Sequence, residues 1–319
     1  MANSSITVIG DCSEDLIFSV EGPGADLGYD SKEHCKEMCF NYGGKIVAES
    51  LEKHFGGNAY NTSIAFSKLG LDTKLCSIIG DDDDAKAMAV ALKEENIDCS
   101  HVIREGMTNI SSVILYKKER TIISYHAKRD YRQIKLPQTG WYYFTSASGG
   151  SEKILPKILA ERKIVVFNPG SWQMENFRLF NPYLSEIDIL IVNKSEAKEI
   201  SGKDKVRDMI KKILDEGVKF VVITDGVNGC YVADKNASFH SGIFPSDTLD
   251  PTGAGDSFSG GFIGAIAQGK SIVTAIKWGM INSASVVEKF GATEGLLNQD
   301  HIDRLEESWK SFKLKSLTD

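Results

Sequence analysis

Short runs of apolar residues alternate along this chain with segments whose apolar residues recur at helical spacing, and this alternation restricts the fold more than any other feature. Runs such as Ile6–Ile9, Trp141–Thr145 and Phe220–Thr224 have the length of buried strands. The segments Ala85–Glu95 and Lys205–Glu216 have the periodicity of helices. Strands that alternate with helices form a mostly parallel sheet with helices on both faces. The sequence therefore predicts an α/β fold.

Further segments continue the pattern: strands are predicted at 74–79, 164–167 and 187–192, and helices at 58–69, 153–161, 254–268, 272–289 and 300–312. Two segments interrupt it. Residues 16–50 are polar and contain glycines, and residues 101–126 alternate between apolar and polar as antiparallel strands do. We expect them to form a small β-sheet apart from the core, inserted in a single domain that spans residues 1–319.

The composition excludes several classes of partner. The formal net charge of -7 argues against binding to nucleic acid or to a membrane surface, because phosphate-rich surfaces attract basic patches. No apolar run reaches 18 residues, so no membrane span is expected. The N-terminus lacks the pattern of a signal peptide, and the six scattered cysteines form no C-x-x-C pair. These observations predict a cytoplasmic protein with free thiols.

The segment Asp250–Gly261, with the sequence DPTGAGDSFSGG, carries the clearest chemical signal. Its Gly-Ala-Gly run allows close approach of the backbone to a ligand, and an apolar helical segment follows directly. Free N–H groups at the start of a helix favour an anion such as a phosphoryl group. Asp256 falls in the first turn, where its carboxylate could accept a proton from an attacking hydroxyl. In the alternative interpretation Asp256 only caps the helix and the glycines only form a turn.

Four segments resemble motifs of the ribokinase-like (PfkB) family of sugar and nucleoside kinases, in the family's order: Gly56–Asn61, Asn193–Glu196, Ile223–Gly229 and Asp250–Asp256. They resemble the di-glycine motif, the N-x-x-E motif, the nucleotide-binding strand end and the C-terminal signature, respectively. The likeness extends over about the whole chain. It implies a ribokinase-like three-layer α/β/α core with a small β-sheet lid, and transfer of the γ-phosphate of ATP to a hydroxyl group.

On the acceptor side, the resemblance implies an anion hole and a catalytic base at Gly253, Ala254, Gly255 and Asp256. It implies substrate contacts from Gly56 and Gly57, whose lack of side chains lets the acceptor lie against the backbone. The amides of Asn58 and Asn61 are candidates for hydroxyl recognition, although Asn61 could instead only cap or line its helix. Asp15 matches the family's hydroxyl-gripping aspartate. Asp11 and Glu14 are rivals for that role.

On the nucleotide side, the resemblance implies that Asn193 and Glu196 organise Mg²⁺ and its waters. The alternative is that both only begin the next helix. Thr224, Gly226 and Gly229 resemble the loop that carries the nucleotide, and Asn282 falls about where the family packs adenine. Asp250 and Thr252 match residues that hold a monovalent cation. Because Pro251 departs from the usual string, binding of K⁺ is left open.

The first hypothesis for the function is an ATP-dependent kinase of a sugar. A nucleoside kinase is the alternative within the family, with Tyr29, Phe40, Tyr42 and Tyr60 as candidates for an aromatic wall around the base. A non-catalytic sugar or nucleotide sensor is disfavoured by the intact Gly253–Asp256 string, since a sensor needs no base. A dinucleotide-binding dehydrogenase is disfavoured because no G-x-G-x-x-G follows the first strand.

The alternating apolar residues of the predicted lid also bear on assembly. Val113, Leu115 and Ile123 are expected to form an exposed apolar face that needs a partner, either a substrate or a second subunit. A homodimer through the lid is therefore predicted. His126, at the end of this segment, is a candidate substrate contact, although a lone histidine is more often a surface residue.

Overall fold

The computed structural model of the chain describes residues 4–20, 25–30, 35–116 and 119–317. Within this part of the chain the strands are, in order, β1 (Ser5–Ile9), β2 (Ser13–Ser19), β3 (Ala25–Asp30), β4 (Cys35–Phe40), β5 (Ser50–Gly56), β6 (Asp72–Cys76), β7 (Ile78–Ile79), β8 (Ile103–Arg104), β9 (Asn109–Tyr116), β10 (Glu119–Tyr125), β11 (Trp141–Phe144), β12 (Ile164–Phe167), β13 (Ile189–Asn193), β14 (Phe220–Thr224), β15 (Cys230–Asp234), β16 (Ser238–Ser241) and β17 (Leu314–Ser316).

The α-helices of the same residues are α1 (Asn58–Lys68), α2 (Asp83–Glu94), α3 (Leu155–Ala160), α4 (Ser171–Glu175), α5 (Lys194–Ser201), α6 (Val206–Asp215), α7 (Ala254–Ala267), α8 (Ile272–Val287) and α9 (Gln299–Ser308). Short 3₁₀ helices lie at Tyr131–Gln133, Ser151–Lys153, Phe177–Leu179, Asn181–Glu186 and Gly226–Asn228. None of the described helices is long and apolar enough to cross a membrane.

The main sheet has the strand order β17-β16-β15-β14-β13-β12-β11-β1-β6 among the described residues. The six strands β14, β13, β12, β11, β1 and β6 run parallel to one another. The strands β15, β16 and β17 extend the sheet antiparallel. In this register Asn193, the last residue of β13, lies beside Thr224, the last residue of β14. Ligands of open α/β sheets bind outside the carboxyl ends of the strands, so both residues lie at the functional edge.

Apolar side chains alternate between the two faces of this sheet and form the core on both sides. In β11, Tyr143 packs on one face, whereas Tyr142 and Phe144 pack on the other. Helices α1, α2, α7, α8 and α9 cover the first face, and α3, α4, α5 and α6 cover the second. The three-layer architecture predicted from the sequence is therefore confirmed.

A second sheet has the order β10-β9-β2-β5, and we call it the lid sheet. Its strands pair antiparallel except for β2 and β9, which run parallel. Directly opposite residues share a face, so Asp15, Ser111 and Ser124 point to the same side. We call this side the site face and the other the outer face. Strands β3 and β4 form a separate hairpin. Parts of the predicted lid, at 21–24, 31–34 and 117–118, lie outside the described residues.

The sequence analysis was wrong about which residues form one apolar face of the lid. Val113 is buried, whereas Ile123 is 62% exposed. Ile123 lies opposite Ser112 in the pairing of β9 with β10 and therefore points to the opposite face from Val113. On the outer face, Tyr125 lies next to Ile123 on β10, and Leu51 lies on β5 at the opposite edge of the sheet; all three are exposed. The periodicity of 110–116 predicted strands correctly but not which face is covered.

Differences in the main sheet lie near the C-terminus. The sequence analysis did not predict β15, β16 and β17, because antiparallel edge strands lack the continuous apolar runs of the parallel centre. The helix expected over 300–312 ends at Ser308. Phe312 instead follows an irregular turn in which its ring packs edge-on against Trp309. The chain then adds β17 to the edge of the sheet.

Candidate active site

The first turn of α7 forms a backbone anion site. Gly253 is its N-cap, with φ of 76°, a conformation that favours glycine. A Cβ atom at Gly253 would also lie 2.6 Å from that of Ala292. In the first turn, the N–H groups of Gly255 and Asp256 have no acceptor within the helix. Gly255 faces open space, so these donors are accessible to a negatively charged ligand.

The carboxylate of Asp256 is held in place by two amides from α1. Asn58 Nδ2 donates to Oδ1 at 2.9 Å, and Asn61 Nδ2 donates to Oδ2 at 2.8 Å. Burial raises the pKa of Asp256 to about 6, an effect that the two amides oppose and the nearby negative charge of Asp15 reinforces. A carboxylate with this pKa is ionised at neutral pH and is a stronger base than an exposed aspartate.

The two asparagines were expected to recognise hydroxyl groups, but the structure places both amide nitrogens on Asp256. Asn61 Oδ1 is buried and has no hydrogen-bond partner among the described residues. The position of α1 depends on its N-cap, Gly57, which has φ of 89°. A Cβ atom there would lie 2.7 Å from the carbonyl oxygen of Asp11. The di-glycine motif thus sets the packing that brings the amides to Asp256.

Asp15 lies on the site face of the lid sheet and against the di-glycine motif. A Cβ atom at Gly56 would lie 2.2 Å from Asp15 Oδ2. Ser13 Oγ donates to Asp15 Oδ1 at 3.1 Å, and Ser111 also bonds the carboxylate. Burial raises the pKa of Asp15. The charge of Asp15 in turn contributes to the raised pKa of Asp256.

The two rival carboxylates have other neighbours. Asp11 is buried, accepts a hydrogen bond from the hydroxyl of Tyr131, and has its pKa raised by burial. Glu14 points to the outer face and pairs with Lys53 at 3.1 Å. His126 Nδ1 lies 4.0 Å from Asp11 Oδ2. Of the three candidates, Asp15 therefore has the position suited to a ligand beside Asp256.

A cavity of about 230 Å³ lies beside the first turn of α7. Thr224, Gly226 and Gly229, at the end of β14, form part of its wall together with Gly255. The other lining residues are apolar or carry hydroxyl groups: Val227, Ile243, Phe244, Ser246, Thr248, Pro251, Ala254, Phe258, Met280, Ser283, Ala284 and Val287. An apolar cleft that ends at an anion site suits a nucleotide base with its phosphates.

Asn282 does not line this cavity. Its side chain is fully buried, with Nδ2 donating to the carbonyl oxygen of Ser257 and Oδ1 accepting from the N–H of Leu297. The residue therefore ties α8 to α7 and to the following loop. The next residues of α8, Ser283 and Ala284, line the cavity instead. The contact with adenine that the resemblance implied for Asn282 therefore has no support from its position.

Asn193 and Glu196 form a reciprocal cap at the start of α5. Asn193 Oδ1 accepts from the N–H of Glu196 at 2.9 Å, and Glu196 Oε2 accepts from the N–H of Asn193 at 2.8 Å. Burial raises the pKa of Glu196. Lys194 adds an ion pair with Asp225 at 2.8 Å, which the sequence analysis missed. The alternative interpretation, the start of a helix, describes these contacts correctly.

Whether this region can bind Mg²⁺ depends on the side chains that it offers as ligands. Among the described residues, no group of three or more His, Cys, Asp or Glu side chains is arranged to hold a metal ion. Mg²⁺ commonly keeps several waters and is bound through one or two carboxylates and substrate phosphates. A single carboxylate such as Glu196 at the functional edge of the sheet suits that indirect mode.

The fit of Asp250 to a monovalent cation is poor. Asp250 Oδ1 accepts from the N–H of Thr252 at 2.9 Å and from its hydroxyl at 2.5 Å, and Oδ2 accepts from the N–H of Gly291 at 3.1 Å. Arg120 Nη1, from the lid sheet, lies 3.5 Å from Oδ1. Oδ1 thus accepts two hydrogen bonds beside the positive charge of Arg120, and Oδ2 accepts one, so three of the about four lone-pair sites of an ionised carboxylate are occupied. The sequence analysis did not identify Arg120, because its neighbour in space is distant along the chain.

Comparison with known proteins agrees with this geometry. A family profile described as pfkB family carbohydrate kinase matches residues 3–299. The ribokinase of Haemophilus influenzae is 27% identical over 321 residues, covering 95% of this chain and 98% of the relative. A nucleoside kinase of Methanocaldococcus jannaschii, an archaeal member of the ribokinase family, has a similar structure, with a TM-score of 0.77, 22% identity, and coverage of 96% of this chain and 98% of that one.

A putative ribokinase II from E. coli, solved in complex with ATP and Mg²⁺, has a TM-score of 0.78 and 18% identity, with coverage of 96% of this chain and 99% of that one. At these identities the likeness to the solved structures concerns the fold. The family profile, which spans residues 3–299 and includes all four sequence motifs, shows the family as well as the fold.

Proposed function

The chain belongs to the pfkB family of carbohydrate kinases, and on this basis we propose that it transfers the γ-phosphate of ATP to a hydroxyl group of a small sugar. The observation that carries the proposal is the position of Asp256. Its buried carboxylate is held by two amides at the start of α7, next to free backbone N–H groups and in the electrostatic range of Asp15. This arrangement provides a base and an anion site within one turn.

In the proposed reaction, the acceptor lies between Asp15 and Gly57, with one hydroxyl directed at Asp256. The hydroxyl oxygen forms a bond to the γ-phosphorus, the bond to the β–γ bridging oxygen breaks, and ADP leaves. Asp256 takes the proton of the hydroxyl, which makes that oxygen more nucleophilic as it attacks. The N–H groups of Gly255 and Asp256 stabilise the charge of the phosphoryl group in transfer.

We propose that the nucleotide occupies the cavity between β14 and α8. The apolar and hydroxyl-bearing walls suit a purine ring, and Gly226 and Gly229 leave room for the ribose and phosphates beside Thr224. Mg²⁺, when bound with ATP, would neutralise phosphate charge in transfer. Asn193 and Glu196 would hold its waters from the end of β13.

A nucleoside kinase is the second candidate, because a nucleoside kinase is among the structures that this chain resembles. The aromatic wall expected for it has little support. Tyr60 is buried against Phe55 beneath the lid, Phe40 and Tyr42 are exposed, and the side chain of Tyr29 lies outside the described part of the chain. A sugar acceptor therefore remains the first candidate.

A panel of sugars and nucleosides, assayed by coupled ADP release with ATP and Mg²⁺, tests the proposal. We expect turnover with at least one small sugar and markedly less with nucleosides. Turnover with nucleosides alone would reverse the order of the two candidates. Binding of sugars without any ADP release across the panel would favour the non-catalytic sensor.

We propose further that two copies associate through the outer face of the lid sheet. Ile123 and Tyr125, two residues apart on β10, are exposed apolar side chains there, and association would remove them from water. Sedimentation is expected to show a dimer at micromolar concentration, and Ile123→Lys is expected to give a monomer. Val90→Lys, at an equally exposed apolar site on α2, is the matched control. A wild-type monomer at micromolar concentration would contradict the proposal.

Two coarser features complete the proposal. The whole of residues 1–319 is proposed to act as one kinase unit, with the lid sheet over the acceptor. The cytoplasm is the proposed location, and the described cysteines, which are free thiols, suit a reducing compartment. A fractionation experiment that finds the protein in an oxidising compartment would contradict this location.

A further inference from the structure

Arg120 belongs to the lid sheet but directs its charge at the turn before α7. It lies opposite Leu115 in β9, and Leu115 lies opposite Ser19 in β2. Because Ser19 follows Asp15 by an even number of residues in the same strand, Arg120 shares the site face with Asp15. The sheet therefore presents a cation and an anion to the same space.

The partner of this cation is Asp250. Arg120 Nη1 lies 3.5 Å from Asp250 Oδ1, and the carboxylate is only 5% exposed. Nη1 is itself buried and has no hydrogen-bond acceptor among the described residues. A second lid residue touches the same region, since His54 lies 3.1 Å from the position that a Cβ atom of Gly291 would occupy. The lid sheet thus packs against the loop that supports Asp250.

Asp250 begins the turn whose N–H groups form the anion site. Its negative charge would oppose phosphate binding there unless a cation neutralised it. The resemblance implied a monovalent cation at Asp250 and Thr252, and the sequence left its binding open. Here Asp250 already accepts three hydrogen bonds, and an added cation would also meet the positive charge of Arg120, 3.5 Å from Oδ1.

We propose that the guanidinium of Arg120 supplies the positive charge at Asp250 in place of a monovalent cation, so that phosphoryl transfer does not require K⁺ or Na⁺. The inference rests on the proposed kinase function. Because the charge comes from β10, it is present only when the lid sheet lies against the turn. Neutralisation of Asp250 is therefore linked to the lid that covers the acceptor.

Turnover and thermal unfolding are measured in potassium chloride and in choline chloride at matched ionic strength. The wild-type protein is expected to have the same turnover and the same melting temperature in both salts. Arg120→Gln is expected to lose at least about tenfold of its turnover in choline chloride, the order of a lost charged interaction. Potassium chloride is expected to restore part of that turnover and to raise the melting temperature of this variant alone.

Arg120→Lys keeps the charge and is expected to behave as the wild type. Lys53→Gln removes a lid cation from the outer face and serves as the matched control. A wild-type protein whose turnover or melting temperature rises with K⁺ but not with choline overturns the inference, and so does an Arg120→Gln variant that matches the wild type in choline chloride. If no acceptor is turned over, the proposed function fails, while the melting temperatures still decide the role of Arg120.

Discussion

The segment Asp250–Asp256 and the lid sheet both bring carboxylates to the site, but they are assembled in different ways. Asp250, Gly253 and Asp256 belong to one contiguous segment that ends in a helix. Asp15 obtains its neighbours Ser111 and His54 from other strands of the lid sheet. The groups proposed for transfer thus lie in one local segment, although the amides that hold Asp256 come from α1, whereas the proposed acceptor side is assembled from several strands.

The largest effect is expected for Asp256→Asn, which tests the segment Asp250–Asp256. This variant keeps the shape of the side chain but cannot accept the proton, and we expect kcat to fall by about 10²–10⁴ with little change in KM for ATP. The fold should tolerate it, because Asn61 can turn its amide and let the unpartnered Oδ1 accept from the new NH₂ group. Steady-state kinetics on the purified variant measure the effect.

Thermal unfolding of the same variant separates a base from a cap. The pKa of Asp256 is raised on folding, so its stabilising contribution is present below its ordinary pKa and is lost as the pH rises through about 6. At neutral pH the variant should therefore melt no earlier than the wild type. Nearly normal turnover together with a loss of about 1 kcal/mol of stability would identify a helix cap instead.

Asp15→Asn tests the lid sheet, the side proposed to bind the acceptor. If the carboxylate binds acceptor hydroxyls, kcat/KM for the acceptor should fall by about 10- to 100-fold, since hydrogen bonds to a charged group contribute about 1.5–3 kcal/mol. KM for ATP should stay unchanged. Glu14→Gln, one residue away on the outer face, is the matched control. A larger effect at Glu14 than at Asp15 would contradict the assignment of the two faces.

The pH dependence of kcat/KM is expected to depend on both Asp256 and Asp15. Asp256 acts only when ionised, so kcat/KM should fall about tenfold for each pH unit below about 6, the raised pKa of this carboxyl. Because the charge of Asp15 contributes to that increase, the acidic limb of Asp15→Asn should move to lower pH. A profile that stays flat down to the ordinary aspartate range, with the protein still folded by circular dichroism, would exclude Asp256 as the base.

What the sequence could predict follows the same division. The strands of the parallel centre and the helix after Gly253 were predicted correctly, because apolar runs and capping signals are local. The lid strands were predicted as strands, but the side on which Val113 and Ile123 lie was not, since register is set by pairing with β2 and β10. The sequence analysis did not identify Arg120 because its neighbours also depend on how the strands pair.

Three asparagines show most clearly what could not be predicted from the sequence. Asn58 and Asn61 were candidates for hydroxyl recognition, with a purely helical role left open for Asn61, and the resemblance implied a contact with adenine for Asn282. The structure uses all three to hold other protein groups, two on Asp256 and one between α7 and its neighbours. Spacing along the chain located these residues near the site, but their hydrogen-bond partners depend on how α1, α7 and α8 pack.

The smallest expected effect concerns Glu196, a residue with a local structural role and a proposed catalytic one. Glu196→Gln keeps an oxygen that can accept from the N–H of Asn193, so the cap of α5 and the melting temperature should be preserved. It removes the charge that would hold the waters of Mg²⁺. The Mg²⁺ concentration for half-maximal activity should therefore rise, by up to about tenfold. Glu199→Gln, an exposed position on the same helix, is the control. If both variants give the wild-type Mg²⁺ titration, Glu196 is only a cap, and the N-x-x-E segment belongs to the fold rather than to the metal.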